Sequence, residues 1–152
     1  MPEVLQGRLL AKCALPRAVL SENKFTGGHW ASTSVPKHWR ETKDWALLLR
    51  SVDGLGFVKT QEQFRRRVVV KRLLCLRQRR FDEVNKYGGS VKSIQDALVK
   101  LGWLTDDAPK YCDLAVQELE PDEMEQWEYD AYDKRGALSV VEVHELNEEI
   151  KS

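Results

Sequence analysis

The sequence predicts a small domain of the α/β (α+β) class, built from a mixed four-stranded sheet packed by two main helices. Segments rich in β-branched and apolar residues alternate along the chain with segments whose apolar residues recur at helical spacing. The 152 residues are enough to bury one core without disulfides, so a single domain, 1–152, is expected. A hydrophobic content of 42% excludes an intrinsically disordered chain.

The predicted strands and helices follow one another with loops rich in glycine, proline and polar residues between them. In order they are a strand at 4–15, a helix at 37–52, a strand at 65–77, a helix at 90–101, a strand at 110–119, a short surface helix within 120–135 and a strand at 137–146. The order β-α-β-α-β-(α)-β is typical of a small α/β domain with a mixed sheet.

The first helix is predicted from residues that recur near every 3.6 positions. They are Trp39, Lys43, Ala46, Leu47 and Arg50, with Trp45, Leu48 and Leu49 widening the apolar face. Trp30, Trp39 and Trp45 could stack on nucleobases. The helical spacing of Trp39 and Trp45 favours a place in the core or in a dimer interface instead.

The second helix is predicted from one apolar stripe and from its two ends. The stripe consists of Val91, Ile94, Leu98 and Leu101, at i, i+3, i+7 and i+10. Ser90 is expected to cap the start of this helix, and Gly102 suits the left-handed conformation at its end.

Several classes of protein are excluded by what the sequence lacks. No segment approaches the roughly 20 apolar residues of a membrane span, and the N-terminal residues do not form a secretory signal. Cys13, Cys75 and Cys112 are far apart and odd in number, which excludes a disulfide scaffold and a thiolate zinc site. The common motifs for nucleotide binding, zinc proteases and serine hydrolases are missing as well. We therefore expect a protein of the reducing cytoplasm.

Charge is divided unevenly along the chain. Residues 1–100 contain 20 basic and 9 acidic residues, a balance of +11, whereas residues 101–152 contain 4 and 15, a balance of −11. Either the first part binds a polyanion, or the two parts neutralise each other in the folded protein. We favour DNA as the partner of the densest basic run, because this run leads directly into an acidic loop. The predicted DNA phosphate contacts in it are Arg65, Arg66, Arg67, Lys71, Arg77, Arg79 and Arg80.

Two pairs of carboxylates flank the second helix. Asp82 and Glu83 follow the basic strand, and Asp106 and Asp107 follow the helix in a tight turn. If the two loops converge, their oxygens make a Mg²⁺ site that polarises a phosphodiester, with Lys92 available to stabilise the developing charge. Ordinary turn chemistry and helix capping is the alternative explanation of such pairs.

The same region resembles a known family. The run FDEVNKYGGSVKSIQDALVKLGWLTDDAPKY at 81–111 resembles the core of the RusA-type Holliday junction endonucleases, which are often carried by phages and prophages. The family pattern has an Asp-x-Asp-Asn loop after a basic strand, a Lys early in the next helix, then Asp-Ala-Leu and a closing Asp-Asp turn. The upstream run ENKFTGGHWASTSVPKHWRETKDW and the terminal SVVEVHEL also resemble the family, so the similarity spans most of the chain.

Residue by residue, the resemblance implies a catalytic site. Asp82 matches the first Asp of the loop, Asn85 its Asn, and Lys92 the helix Lys, while Asp106 and Asp107 match the closing pair. In the family such aspartates bind Mg²⁺. The resemblance therefore implies a Mg²⁺-dependent homodimer that cuts both strands of a four-way DNA junction during recombination and repair, in a bacterial or phage-infected cell. Two symmetric cuts need two sites at a fixed separation, which a dimer provides.

The chain departs from the family pattern at one position. Val84 stands where the family has its second Asp, and a valine side chain cannot bind a metal. Glu83 supplies the missing carboxylate if the loop slips by one residue, or else Asp106 and Asp107 both serve as ligands. The alternative function is a catalytically impaired junction-binding protein of the same fold, and a third is a small scaffold for a charged protein partner. The acidic surface insertion at 121–136 is expected to aid solubility or to compete with DNA for the basic residues.

Overall fold

Four strands and three α-helices form the part of the chain that the structure describes. The structure is a computed structural model, and it describes residues 6–20, 35–51, 64–74, 80, 87 and 89–149. The elements are β1 (Gln6–Leu15), α1 (Val35–Arg50), β2 (Phe64–Leu73), α2 (Ser90–Lys100), β3 (Cys112–Leu119), a 3-10 helix (Pro121–Glu123), α3 (Gln126–Arg135) and β4 (Ser139–Glu149). The predicted class and order of elements are confirmed. None of the helices in these ranges is long and apolar enough to cross a membrane.

The strands form one mixed sheet in the order β1-β4-β2-β3. β4 pairs antiparallel with both β1 and β2, whereas β2 pairs parallel with β3. A parallel pair needs a crossover connection, and α2 lies in the connection between β2 and β3. A row of valines across the centre, in which Val70 pairs with Val116 on one side and Val141 on the other, shows the apolar register that holds these strands together.

The start of α2 differs from its prediction. Gly89, with φ of 58°, takes the capping position, and Ser90 is the first helical residue without a side-chain cap. The Ser90 hydroxyl instead donates to Glu41 Oε1 at 2.9 Å and accepts the backbone N–H of Leu20 at 2.8 Å. The predicted serine cap is therefore wrong. The tertiary partners of the hydroxyl compete successfully with the local backbone.

The core between the sheet and the helices α1 and α2 contains the predicted stripe of α2 and part of the predicted face of α1. Val91, Ile94 and Leu98 are fully buried. In α1 the buried large residues are Trp45 and Leu49, whereas Trp39 is 68% exposed and Leu47 48% exposed. The core position is confirmed for Trp45. It is wrong for Trp39, and the alternative place predicted for Trp39, a dimer interface, stays a prediction. Trp39 and Leu47 lie on the same side of α1 as Lys43 and Arg50, whose charges stay in water; Trp30 lies outside the described residues.

The opposite face of the sheet is covered by α3, which is anchored by buried charges. α3 has little apolar surface of its own, and its buried Ala131 packs near Leu73 and Val140. Glu128 is fully buried, and its Oε2 lies 2.5 Å from Lys71 Nζ on β2. Its Oε1 accepts the N–H of Glu125 at 2.9 Å, which closes a capping box at the start of the helix. The short helix predicted within 120–135 is thus tied to the sheet by a charge pair.

Basic residues of the first hundred positions pair with acidic residues of the remainder. The pairs include Arg8 with Glu145, Lys12 with Glu125, Arg67 with Asp113, Lys71 with Glu128, Arg72 with Glu118 and Arg80 with Glu123. For these residues, the basic and acidic parts of the chain neutralise each other in the folded protein, which was the alternative to binding a polyanion.

Candidate active site

Lys92 projects from the first turn of α2 towards solvent. The helix turns its apolar stripe into the core, so Lys92, on the outer side, keeps 46% of its side chain exposed. The backbone of the helix start is fixed by the bond from Ser90 N–H to Leu20 O at 3.1 Å. The sequence therefore places the ε-ammonium group of Lys92 at the surface beside a rigid helix end.

The turn after α2 holds Asp106 and Asp107 in place. Gly102, with φ of 82°, ends the helix in a Schellman motif, in which Trp103 N–H donates to Leu98 O at 2.9 Å and Gly102 N–H to Val99 O at 3.0 Å. Trp103 itself is buried, which ties the turn to the core. The prediction that Gly102 takes the left-handed conformation is confirmed.

The structure brings Lys92 and Asp107 into direct contact, although they are 15 residues apart in sequence. The Lys92 ammonium group donates to Asp107 Oδ2 and also lies 3.3 Å from Asp96 Oδ1, one turn further along α2. The backbone N–H of Asp107 donates to Asp106 Oδ1 at 2.8 Å. Two adjacent carboxylates and one lysine thus converge at the surface.

A histidine from α1 extends this cluster. His38 Nε2 donates to Asp96 Oδ2 at 2.8 Å, and the other ring nitrogen, Nδ1, lies 3.1 Å from Ser93 Oγ. Asp96 therefore links Lys92 to His38 and is a second carboxylate partner of the lysine besides Asp107. We refer to Lys92, Asp96, Asp106, Asp107 and His38 as the Lys92 cluster.

The donor set at Asp106 and Asp107 suits a divalent cation. Carboxylate oxygens are the ligands that Mg²⁺ prefers, and both side chains retain access to water. Asp82 and Glu83, predicted as further ligands, lie outside the described residues, as do Val84 and Asn85. The residues present therefore fit two of the predicted ligand positions.

A second acidic cluster lies elsewhere, beside the 3-10 helix. Among the described residues, Glu120, Asp122 and Glu123 form a group whose ligand atoms all lie within 4.8 Å of one another. Glu123 Oε1 accepts the backbone N–H of Glu120 at 3.0 Å and Arg80 Nη2 at 2.5 Å, and these two bonds, the first above all, lower the pKa of Glu123. All three carboxylates are exposed, and exposed acidic groups of this kind are common without a metal, so we assign no ion to this group.

The predicted DNA contacts on β2 are engaged within the protein. Arg65 Nε donates to Pro109 O at 3.1 Å, Arg66 Nη1 to Trp103 O at 2.7 Å and Arg67 Nε to Asp113 Oδ2 at 2.6 Å. Burial lowers the pKa of Arg66, although the nearby charge of Glu145 opposes this effect. Two of these bonds, from Arg65 and Arg66, hold the segment that carries Asp106 and Asp107, so these arginines position the candidate site.

Lys71 and Arg80 also have partners in the acidic part of the chain. Lys71 is buried between Glu128 and Glu142, and Arg80 donates to Glu118 O at 2.6 Å as well as to Glu123. A DNA phosphate would have to displace these carboxylates to reach Lys71. Arg77 and Arg79 lie outside the described residues.

The reasoning from sequence did not identify two functional candidates, Asp96 and His38. Asp96 follows Lys92 by four residues on a predicted helix, and that spacing alone predicts an ion pair. The contact of His38 depends on the packing of α1 against α2 and leaves no local signal. Buried Glu128 escaped as well, although its spacing from Glu125 is that of a capping box.

Comparison with protein-family models, with curated proteins and with solved structures found no match to this chain.

Proposed function

We propose that the chain is a Mg²⁺-dependent endodeoxyribonuclease of the RusA type that resolves four-way DNA junctions as a homodimer. The observation that supports this most is the contact between Lys92 and Asp107. These are the helix lysine and the closing aspartate of the motif, and a shared phosphodiester site requires them to be neighbours. The alternative of an ordinary turn predicts no such convergence.

In this proposal Asp82, Asp106 and Asp107 would hold the ion, with Glu83 as the substitute for the carboxylate missing at Val84. A bound Mg²⁺ would supply positive charge that polarises the phosphodiester and lowers the pKa of water. Lys92 would be released from Asp107 if that carboxylate held the ion. Its ammonium group is retained by Asp96 and donates to a phosphate oxygen, where negative charge builds up in the transition state. Asp96 and His38 act as positioning residues.

Both buried thiols that the structure describes, Cys13 and Cys112, are free, which suits a protein of the reducing cytoplasm. We place its action there, on branched DNA of a bacterial or phage-infected cell. A homodimer has twice the 17.6 kDa mass of one chain, which light scattering measures directly.

Cleavage of a labelled synthetic four-way junction, with Mg²⁺ and with EDTA, tests the function. We expect paired symmetric nicks that require Mg²⁺ and are lost in Asp107→Asn and strongly reduced in Lys92→Met. Asp122→Asn, which changes an exposed carboxylate of the second acidic cluster, is the matched control and should cut normally. Equal loss of cleavage in Asp122→Asn would indicate that the ion binds to the second acidic cluster instead.

Variants at Val84 and at the carboxylates that could replace the missing one distinguish the two candidate functions, the endonuclease and the impaired junction-binding protein. If the missing carboxylate has abolished catalysis, the wild type binds the junction without cutting it, and Val84→Asp gains Mg²⁺-dependent cleavage. If Glu83 or the Asp106–Asp107 pair compensates, the wild type cuts and Glu83→Gln or Asp106→Asn reduces its rate. No cleavage and no junction binding in any of these variants would refute both functions.

A further inference from the structure

The outer face of α1 carries an aromatic side chain in a row of basic ones. Trp39, Lys43, Leu47 and Arg50 lie within about 80° of one another around the helix axis, at 3.6 residues per turn, and Arg40 borders them. The row is about 16 Å long at 1.5 Å per residue. We call these five residues the α1 outer face.

The side chains of this face are available to a partner. Trp39 is 68% exposed and Leu47 48% exposed, and the three basic residues are exposed as well. Within the described part of the chain, Arg40, Lys43 and Arg50 form no hydrogen bond or ion pair. The acidic residues of α1, Glu41 and Asp44, are instead bound to Arg17 at 2.7 and 3.1 Å.

From this juxtaposition we infer that the α1 outer face binds unpaired nucleotides of DNA, with Trp39 stacking on a base and the cations binding phosphates. Stacking on an aromatic ring and contact with a basic groove are the two interactions by which single strands are bound. A second copy of this chain fits less well, because a symmetric contact would bring three cations against three cations. A membrane surface fits less well too, because the face offers only two apolar side chains.

The position of Trp39 connects this face to the candidate site. Trp39 follows His38, whose ring bonds to Asp96, and Asp96 in turn contacts Lys92. An unpaired base stacked on the indole would thus lie against α1, the helix whose His38 contacts Asp96. The inference rests on the proposed function for the kind of DNA involved, but binding by this face needs neither the metal nor cleavage.

Fluorescence anisotropy with a labelled oligothymidylate of about twelve nucleotides, within the usual site sizes, tests the stacking in EDTA. Trp39→Ala should weaken binding roughly 5- to 150-fold, the range that loss of one stacked base produces. Trp39→Phe should restore most of the affinity. Because Trp39 is exposed, its variants should keep the thermal stability of the wild type, and Arg135→Gln, on α3 across the sheet, is the matched control for affinity.

Salt dependence tests the cations separately. The double variant Lys43→Gln/Arg50→Gln should lower the slope of log affinity against log salt by about 1.4, since each phosphate contact with a single strand contributes about 0.7. An affinity of Trp39→Ala within about twofold of the wild type, or an unchanged salt slope in the double variant, overturns the inference. A monomeric Trp39→Ala with unchanged DNA affinity also overturns it and identifies the face as a contact between copies.

The outcomes distinguish this inference from the proposed function. Asp107→Asn should bind the oligothymidylate like the wild type while losing junction cleavage. If Trp39→Ala loses oligothymidylate binding but no variant affects cleavage, the face binds DNA and the proposed function fails. If cleavage depends on Asp107 and Trp39→Ala binds normally, the function stands and the inference fails.

Discussion

The buried ammonium group of Lys71 allows a quantitative test of how α3 is held on the sheet. Its Nζ lies 2.5 Å from Glu128 Oε2 and 2.8 Å from Glu142 Oε2, and each of the three side chains is at most 9% exposed. Lys71→Met keeps most of the length and the apolar part of the side chain but removes the charge. Two buried carboxylates then lose the cation that they share.

The remaining partners show where the cost arises. Glu142 keeps His144 Nε2 at 2.8 Å and Lys12 Nζ at 3.5 Å, whereas Glu128 keeps the backbone N–H of Glu125. Removing one partner of a buried ion pair costs about 3–5 kcal/mol, so Lys71→Met should lower the free energy of unfolding by about that amount at pH 7.

Urea unfolding at pH 7, followed by far-ultraviolet circular dichroism, measures this difference. The matched control is Lys134→Met on α3, where the lysine is 71% exposed and 3.7 Å from Asp130, and the cost should stay below about 0.5 kcal/mol. The double variant Lys71→Met/Glu128→Gln removes the unpaired charge and should recover part of the loss. A cost of Lys71→Met below about 1 kcal/mol would refute the anchoring role of the pair.

Four further predictions concern the titration of Glu142, the titration of Lys71, a backbone glycine and two thiols. Burial alone would raise the pKa of Glu142, but hydrogen bonds from Lys71 and His144 lower it overall. Stability should therefore fall as the pH drops below the unfolded value of about 4.3, and less so in Glu142→Gln, as urea unfolding across pH 3 to 7 will show. Burial alone would lower the pKa of Lys71, but its bonds to Glu128 and Glu142 raise it, so its contribution should persist up to about pH 10 and decline above. Gly136 ends α3 with φ of 69°, and no atom lies within 4 Å of an added Cβ. Gly136→Ala should therefore lower the free energy of unfolding by about 1 kcal/mol, because alanine disfavours the left-handed conformation. The same unfolding assay measures this, and a stabilised variant would contradict it. Burial raises the pKa of Cys13 to about 11 and also raises that of Cys112. In a Cys75→Ala background both thiols should therefore react with a disulfide reagent only after unfolding. Fast labelling of the folded protein would count against their burial.

The secondary structure was predictable from the sequence wherever a single pattern dominated. In α2 the residues Val91, Ile94 and Leu98 form a stripe without competing charges, and that stripe is buried. In α1 the predicted apolar face was too wide. It joined Trp39 and Leu47, which have charged neighbours, to Trp45 and Leu49, and the cost of desolvating those charges keeps Trp39 and Leu47 outside the core. Periodicity therefore identified the helix, whereas the choice of its buried face depended on tertiary packing.

The candidate site was predictable in its residue types more than in its contacts. Lys92 and Asp107 were identified from the motif, and the glycine that turns the chain after α2 was recognisable because only a left-handed residue ends a helix in this way. The links through Asp96 to His38 could not be predicted, because they require α1 to pack against α2. Asp82 and Glu83 stay predictions, since they lie outside the described residues.

The charges of the chain bear on where DNA would bind under the proposed function. The run of arginines and lysines on β2 was the strongest basic signal in the sequence, yet Arg67, Lys71 and Arg72 lie against acidic residues of β3, β4 and α3. Lys71 and Arg72 are largely buried beside their carboxylates, so a phosphate would have to break a buried ion pair to reach either of them. The cations of α1 belong to a sparser stretch, but the acidic residues of that helix are bound to Arg17 and leave them uncompensated within the described part of the chain. The surface best suited to DNA is therefore set by which cations the fold leaves without carboxylate partners, and the density of basic residues along the sequence is a poor guide to it.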